Sequence, residues 1–128
     1  MRRILFAVFL VVACATVAAA DSNEEAKSAY GRGDYALAAQ LFRSRAEQGD
    51  TRAQNNLGGM YAQGRGVPQD FVRAHMWFNV AAAALTGDER KAAIKNRDNV
   101  ASQLTAVQIG KAEEMARHCQ VTKFKECD

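Results

Sequence analysis

The sequence has 128 residues, of which 48% are hydrophobic, 24% charged and 8% aromatic, and its formal net charge is +3. These proportions are those of one small globular domain and exclude an intrinsically disordered chain. Without the first twenty residues, 15 basic and 14 acidic side chains remain, and this balance excludes the strongly basic surface with which nucleic-acid-binding proteins neutralise phosphates.

The first twenty residues have the pattern of a secretory signal peptide. Two arginines at positions 2 and 3 are followed by an unbroken apolar run over residues 4–12, and three alanines, Ala18–Ala20, come directly before Asp21. A short positive region, an apolar region and a small-residue cleavage site in this order are typical of export signals. We therefore predict a signal peptide over residues 1–20 and a periplasmic or secreted domain over residues 21–128.

Two alternatives remain open for this segment. The run Val11-Val12-Ala13-Cys14 is similar to a bacterial lipobox, in which Cys14 would be lipidated and would anchor the protein. Residues 4–20 are also just long enough to span a bilayer if they are not removed, although their many alanines make them only weakly hydrophobic. All three interpretations place the folded part outside the cytoplasm.

The remainder of the chain is predicted to be all-α. From Glu24 to Arg117 the apolar residues recur every three or four positions and do not alternate, and the chain contains a single proline, which argues against a β-sandwich or barrel. Thr105 with Gln108 three residues later forms a capping box, a helix start signal. The predicted helices cover residues 23–31, 34–48, 52–63, 70–86, 88–103 and 105–118.

The helical part contains an internal repeat with an offset of 36 residues. Aspartate, aromatic and alanine residues recur with identical spacing in two segments. The first segment contains Asp34, Tyr35, Ala38, Phe42 and Ala46, and the second contains Asp70, Phe71, Ala74, Phe78 and Ala82. Self-similarity at such a period indicates stacked helical hairpins.

A further set of small, aromatic and acidic residues follows a family-specific pattern. Its members are Ala53, Leu57, Gly58, Tyr61, Gly64, Gly66, Asp70, Ala74, Trp77, Ala81 and Ala82. This pattern resembles a Sel1-like repeat, a relative of the tetratricopeptide repeat, with Phe78 where the family usually has tyrosine. We interpret these signature residues as structural, since each suits helix packing, a left-handed turn or a helix cap.

The resemblance implies an α/α-hairpin solenoid. A truncated repeat would cover residues 23–50, a full repeat residues 51–87, and a C-terminal capping helix pair residues 88–128. A terminal cap is needed because one repeat cannot bury its apolar face alone.

The resemblance also implies a function in protein–protein contacts. We expect a non-catalytic adaptor of the bacterial periplasm or cell envelope that binds a peptide or protein segment on a short helical groove, without a cofactor, metal or nucleic acid. The predicted lining residues, on the side of the 52–63 helix expected to be exposed and on the preceding helix, are Tyr30, Arg52, Asn55, Asn56, Met60 and Gln63.

Two other functions stay open. Some secreted Sel1-like proteins are described as penicillin-binding or β-lactamase-like, so an envelope enzyme or cell-wall ligand binder is one alternative; a small structural or inhibitor protein is the other. The sequence offers no catalytic motif in support of an enzyme, and it lacks S-x-x-K. The sequence shows no catalytic partner for either of its two histidines, and we expect His75 to lie at the surface or in an interface.

The last two cysteines are predicted to form a disulfide. Cys119 and Cys127 are the pair that remains after signal removal, and an even number in an oxidising compartment favours a bridge. Since eight residues of helix would separate them by about 12 Å, the chain must turn back between them. We place the helix end near His118 and the turn at residues 120–123. A redox pair or a zinc site with His118 is the weaker alternative, since there is no C-x-x-C and no fourth ligand.

The disulfide predicts a simple thiol count. The exported protein, cleaved after Ala20, should show no titratable thiol under denaturing conditions without reductant and two after reduction. Two free thiols in the untreated protein would contradict the bridge.

Overall fold

The computed structural model describes residues 18–128, with side chains from residue 23 onward. This part of the chain contains six helices and no strand. The helices are α1 (Ala18–Gly31), α2 (Tyr35–Glu47), α3 (Thr51–Gln63), α4 (Phe71–Ala84), α5 (Gly87–Ala101) and α6 (Ala106–Val121). The predicted signal peptide lies outside the described residues except for Ala18–Ala20.

The prediction of an all-α fold is confirmed, and four of the six helices agree with their predicted bounds to within about two residues. The other two are longer than predicted. Helix α1 already includes Ala18, the first described residue, so it covers residues before the predicted start at residue 23; the alanines there favour a helix. Helix α6 continues past His118 to Val121.

Three successive helices begin at an aspartate. Asp34, Asp50 and Asp70 precede α2, α3 and α4, and each carboxylate accepts a hydrogen bond, 3.0–3.4 Å long, from the backbone N–H three residues later. At the start of α6, Thr105 and Gln108 form the reciprocal capping box that the sequence predicts. These caps satisfy backbone donors that a helix leaves free at its first turn, and they fix where each helix starts.

Asp50 also connects three helices. Its carboxylate accepts from Asn23 Nδ2 of α1 at 2.7 Å and from Arg45 Nη2 of α2 at 3.3 Å, while it caps α3. Although partial burial alone would raise the pKa of Asp50, the hydrogen bonds from Ala53 N–H, Asn23 and Arg45 hold that pKa below its ordinary value.

Helix α4 lies at the centre of the domain and packs against α3, α5 and α6. It is apolar on nearly every side, so that Met76, Trp77 and Val80 are all buried, Trp77 completely. A helix that is hydrophobic all round is stable only when neighbours cover it on several sides.

The repeat seen in the sequence is a repeat of buried positions. Phe42 of α2 and Phe78 of α4, which are 36 residues apart, are both 3% exposed. The alanines at the equivalent positions, Ala38 with Ala74 and Ala46 with Ala82, are buried as well. The two hairpins therefore contribute matching side chains to the core.

Two signature glycines allow close approach between neighbouring segments of the chain, Gly58 within α3 and Gly66 in the loop that follows it. A Cβ atom at Gly58 would lie 2.9 Å from the Phe78 ring, and one at Gly66 would lie 2.1 Å from the carbonyl oxygen of Tyr35. Gly66 also has φ +73°, in the left-handed region that glycine adopts at no steric cost. Only glycine fits at either position without displacing its neighbour.

The C-terminal segment folds back along the domain. A disulfide joins Cys119 of α6 to Cys127, with their Cα atoms 4.3 Å apart. The chain reverses through Lys123 and Phe124, which have φ of +52° and +65°, and Phe124 N–H donates to Cys119 O at 2.8 Å. The turn thus comes about two residues later than predicted, because α6 runs on to Val121.

This segment reaches the first two hairpins. The Phe124 ring lies against Gly49, between α2 and α3. Asp128 forms ion pairs with Arg43 of α2 and with Arg73 of α4, the second at 3.1 Å. We call residues 122–128 the C-terminal strap, since they connect α6 to α2 and α4.

His75 does not lie at the surface. It is 4% exposed on α4, so the prediction of a surface or interface histidine is wrong. Three helices cover α4, and the face that carries His75 is therefore closed. Burial, and secondarily the charge of Arg97, lowers the pKa of His75, while Glu113 and Asp98 oppose the shift weakly.

Alanine substitutions at three glycines should separate the steric effect from the backbone effect. Gly66→Ala should lower the free energy of unfolding by at least about 2 kcal/mol, since it adds a backbone clash to an unfavourable φ. Gly33 has φ +81° and open space around it, so Gly33→Ala should lower the free energy of unfolding by about 1 kcal/mol, through the unfavourable φ alone. Gly110 lies in helix α6 with open space around it, so Gly110→Ala should raise the free energy of unfolding by about 0.5–1 kcal/mol. Urea unfolding measures all three, and equal effects at Gly66 and Gly33 would contradict the close contact with Tyr35.

The lowered pKa of His75 predicts acid sensitivity. Below a pH of about 6.5 the unfolded chain binds a proton at this histidine more readily than the folded chain does. The free energy of unfolding should therefore decrease as the pH is lowered below about 6.5. His75→Leu should flatten the slope of unfolding free energy against pH by at most about 1.4 kcal/mol per pH unit. His118→Gln, which removes the exposed histidine, is the control; identical slopes for wild type and His75→Leu would show that burial of His75 does not resist protonation.

Candidate functional site

A concave feature of the described residues is a groove along α3. A cavity of about 390 Å³ opens between α1, α3 and α5, with the buried rings of Phe42 and Phe78 at its base. Its lining consists mainly of amide and aromatic side chains. The lining residues are Lys27, Tyr30, Phe42, Asn55, Asn56, Gly59, Met60, Gln63, Phe78 and Asn96.

A second cavity of about 280 Å³ adjoins the first. The two share Lys27, Asn55 and Asn56, so they form one groove that follows α3. The second cavity is further lined by Arg52, Leu85, Glu89 and Ala92. We call the two cavities together the α3 groove.

The six residues predicted to bind a partner all line the α3 groove. Five of them line the first cavity, and Arg52 lines the second, where its Nη2 lies 3.1 Å from Glu89 Oε1. The structure therefore brings the predicted set together, and the binding role of these residues stays a prediction.

Met60 differs from the expectation in one respect. It is 1% exposed, whereas the sequence placed it on the exposed side of its helix. Met60 follows Leu57 by three residues and so shares the core-facing side of α3 with it. It forms part of the groove floor and offers a partner little free surface.

Sequence reasoning missed the residues that other helices contribute. Asn96 and Glu89 belong to α5, which follows the repeated segments and shows none of their signature. Phe42 and Phe78 are equivalent residues of the internal repeat, so the sequence could identify them as core residues. It gave no indication that they also form the base of a groove.

Asn55 lies at the junction of the two cavities with an unsatisfied acceptor. Its Oδ1 is shielded from solvent and has no hydrogen-bond partner among the described residues. An unsatisfied buried acceptor costs free energy.

One end of the groove carries an aromatic and arginine cluster. The rings of Tyr30 and Tyr35 meet edge to face with centroids 5.0 Å apart, and the Arg65 guanidinium lies 5.8 Å and 5.1 Å from them. Arg65 Nη1 donates to Tyr30 Oη at 2.7 Å, and Tyr30 Oη donates to Gln63 Oε1 at 3.1 Å. The hydrogen bond with Tyr30 raises the pKa of Arg65, whose side chain is exposed.

The described residues offer few groups for catalysis or metal binding. Among them, no three His, Cys, Asp or Glu side chains lie close enough together to hold a metal ion. His118 Nε2 lies 3.0 Å from Glu126 on the surface, and both sulfurs of the proposed zinc set are in the disulfide.

None of the helices in the described part of the chain combines the length and apolar character needed to cross a lipid bilayer. The anchor alternatives concern residues 4–20, which lie almost wholly outside that part.

Successive helix pairs, caps and buried positions that repeat define the chain as an α/α helical-repeat protein. A model of the Sel1 repeat matches residues 27–50 and 51–84, and the second match coincides with α3 and α4. The chain thus contains two repeats of the Sel1 type. Repeats of this kind generally mediate protein–protein interaction.

A solved structure supports the same assignment. The chain is similar to c5321, a protective antigen present in uropathogenic Escherichia coli strains that displays an SLR fold, with 30% identity and a TM-score of 0.69. The match covers 82% of this chain and 24% of that one, so this chain spans about a quarter of its solved relative. No curated protein sequence shows significant similarity to this chain.

Proposed function

We propose that this protein is a non-catalytic adaptor that holds an extended protein or peptide segment in the α3 groove. The observation that carries the proposal is the arrangement of side-chain amides above an apolar base along one continuous groove. The two repeats support it, since repeats of this kind generally mediate protein–protein interaction.

The chemistry of the groove suits an extended backbone. An amide side chain both donates and accepts hydrogen bonds, as a peptide group does, so Asn55, Asn56 and Asn96 can pair with successive peptide groups of a partner. The rings of Phe42 and Phe78 form an apolar base against which a partner's side chain can pack. Binding of this kind depends more on the shape and backbone of the partner than on any one of its side chains.

The groove is short, which limits the affinity. From Arg52 to Gln63 the helix rises about 16 Å, which matches about five residues of an extended peptide. A contact of this size gives affinities of order micromolar, since only part of the buried area becomes binding free energy.

We further propose that the protein acts in the periplasm or cell envelope. The signal pattern of residues 1–20 supports export, and the bond between Cys119 and Cys127 suits an oxidising compartment. Lipidation at Cys14 would keep the same domain at a membrane surface.

Site-specific photo-cross-linking in intact cells tests the proposal. A photoreactive amino acid replaces Gln63, which is exposed at the groove, or Gln120, which is exposed on α6 away from it. We expect discrete protein adducts from position 63 and none of the same mass from position 120. Mass spectrometry identifies the adduct and, in the same digest, shows whether cleavage after Ala20 occurs.

A pair of double variants provides the matched control. Arg52→Glu with Asn56→Ala should reduce the adduct at least about tenfold, a loss of ~1.4 kcal/mol. Arg117→Glu with Asn99→Ala makes the same chemical changes at exposed positions outside the groove and should leave it unchanged. Equal adducts from both labelled positions, or adducts with cell-wall fragments only, would contradict an adaptor that uses this groove.

A further inference from the structure

Arg65 has an unusual environment for an exposed arginine. Two tyrosine rings and the Tyr30 hydroxyl hold its guanidinium at the end of the α3 groove, at the distances given above. Within the part of the chain that the structure describes, no carboxylate lies at ion-pair distance from it. The charge is fixed in place and not neutralised.

Most other arginines that contact neighbouring helices are neutralised by a carboxylate. Arg43 and Arg73 pair with Asp128, Arg45 pairs with Asp50, and Arg52 pairs with Glu89. Arg65 is held by aromatic rings, which orient a guanidinium through its cation–π contact but leave its charge available. An oriented guanidinium loses little side-chain entropy when it binds a carboxylate.

The rest of the groove has the same sign of charge. Glu89 is the one acidic side chain among the residues that line the two cavities, and it is already paired with Arg52. Lys27, at the junction of the cavities, pairs only with Glu24 on its own helix, and both partners are largely exposed. An exposed ion pair of this kind contributes little to stability, so Lys27 can readily pair with a carboxylate of a partner instead.

From these observations we infer that the α3 groove selects an acidic segment, an extended peptide whose Asp or Glu side chain binds Arg65. This inference rests on the proposed function and specifies the partner's chemistry. The partner's backbone would lie along the amides of α3, one carboxylate would form a forked pair with the Arg65 guanidinium, and a second would approach Lys27. Charge-assisted, bidentate pairs of this kind give both affinity and orientation.

Selection from a random peptide library tests the inference without a known partner. Dodecapeptides are displayed at high copy number on phage, so that micromolar binders are retained, and are selected on the purified protein without its signal segment. Each binder is then tested against Gly59→Trp. The Gly59 position has open space in the groove, so the indole should fill the groove without changing its charge; circular dichroism checks that this variant folds.

We expect binders that Gly59→Trp abolishes to be enriched in Asp and Glu, at least about threefold over the unselected library. For the selected peptides, made synthetically with amidated C-termini, Arg65→Gln should weaken binding about tenfold, the size of one hydrogen bond to a charged group. Arg117→Gln removes the same charge from the exposed side of α6 and should change binding less than about twofold, by salt-screened long-range attraction alone.

The outcomes separate the two proposals. Groove-dependent binders without acidic enrichment, or equal effects of Arg65→Gln and Arg117→Gln, would overturn the acidic preference and leave the adaptor function intact. Complete absence of binders that depend on the groove would overturn the adaptor function and this inference with it.

Discussion

The burial of α4 is the constraint on which the rest of the structure depends. This helix is apolar nearly all round, so it needs α3, α5 and α6 as neighbours, and Trp77 at its centre is fully enclosed. The first repeat hairpin alone could not enclose it, because α1 packs mainly on α2, and α2 packs on α1 and α3. The two helices that follow the repeats, α5 and α6, are therefore part of the same core, as capping segments of a solenoid must be.

The position of the groove follows from this packing. Because α4 occupies the centre, α3 is left with one face toward the core and one open side flanked by α1 and α5. Amide side chains line that open side. The rings of Phe42 and Phe78, which are equivalent positions of the repeat, lie beneath these amides. The repeat thus provides both the core and the base of the groove with the same two residues, which places the candidate site directly on the packed core.

The sequence predicts the helices well and the site only in part. Helix starts are encoded locally, by an aspartate or threonine and the backbone three residues later, so Asp70 and Thr105 could be recognised before the fold was known. Whether a helix face is covered depends on partners distant in sequence, and for that reason His75 and Met60 were placed on the wrong side. The contacts of Arg65 with Tyr30 and Tyr35 join residues about 30 or more positions apart, and the periodicity of one helix holds no sign of them.

The C-terminal strap changes how such a domain can lose its structure. In a linear array each repeat contacts only its neighbours, so the ends fray first and unfolding proceeds from them. Here the disulfide holds the strap to α6, while Asp128 reaches back to α2 and α4 and Phe124 packs beside Gly49. The last segment is thereby fastened to the first hairpin. Opening of α2 or of α6 must therefore break these contacts, which couples the first hairpin to the last helix within a short stack of helices.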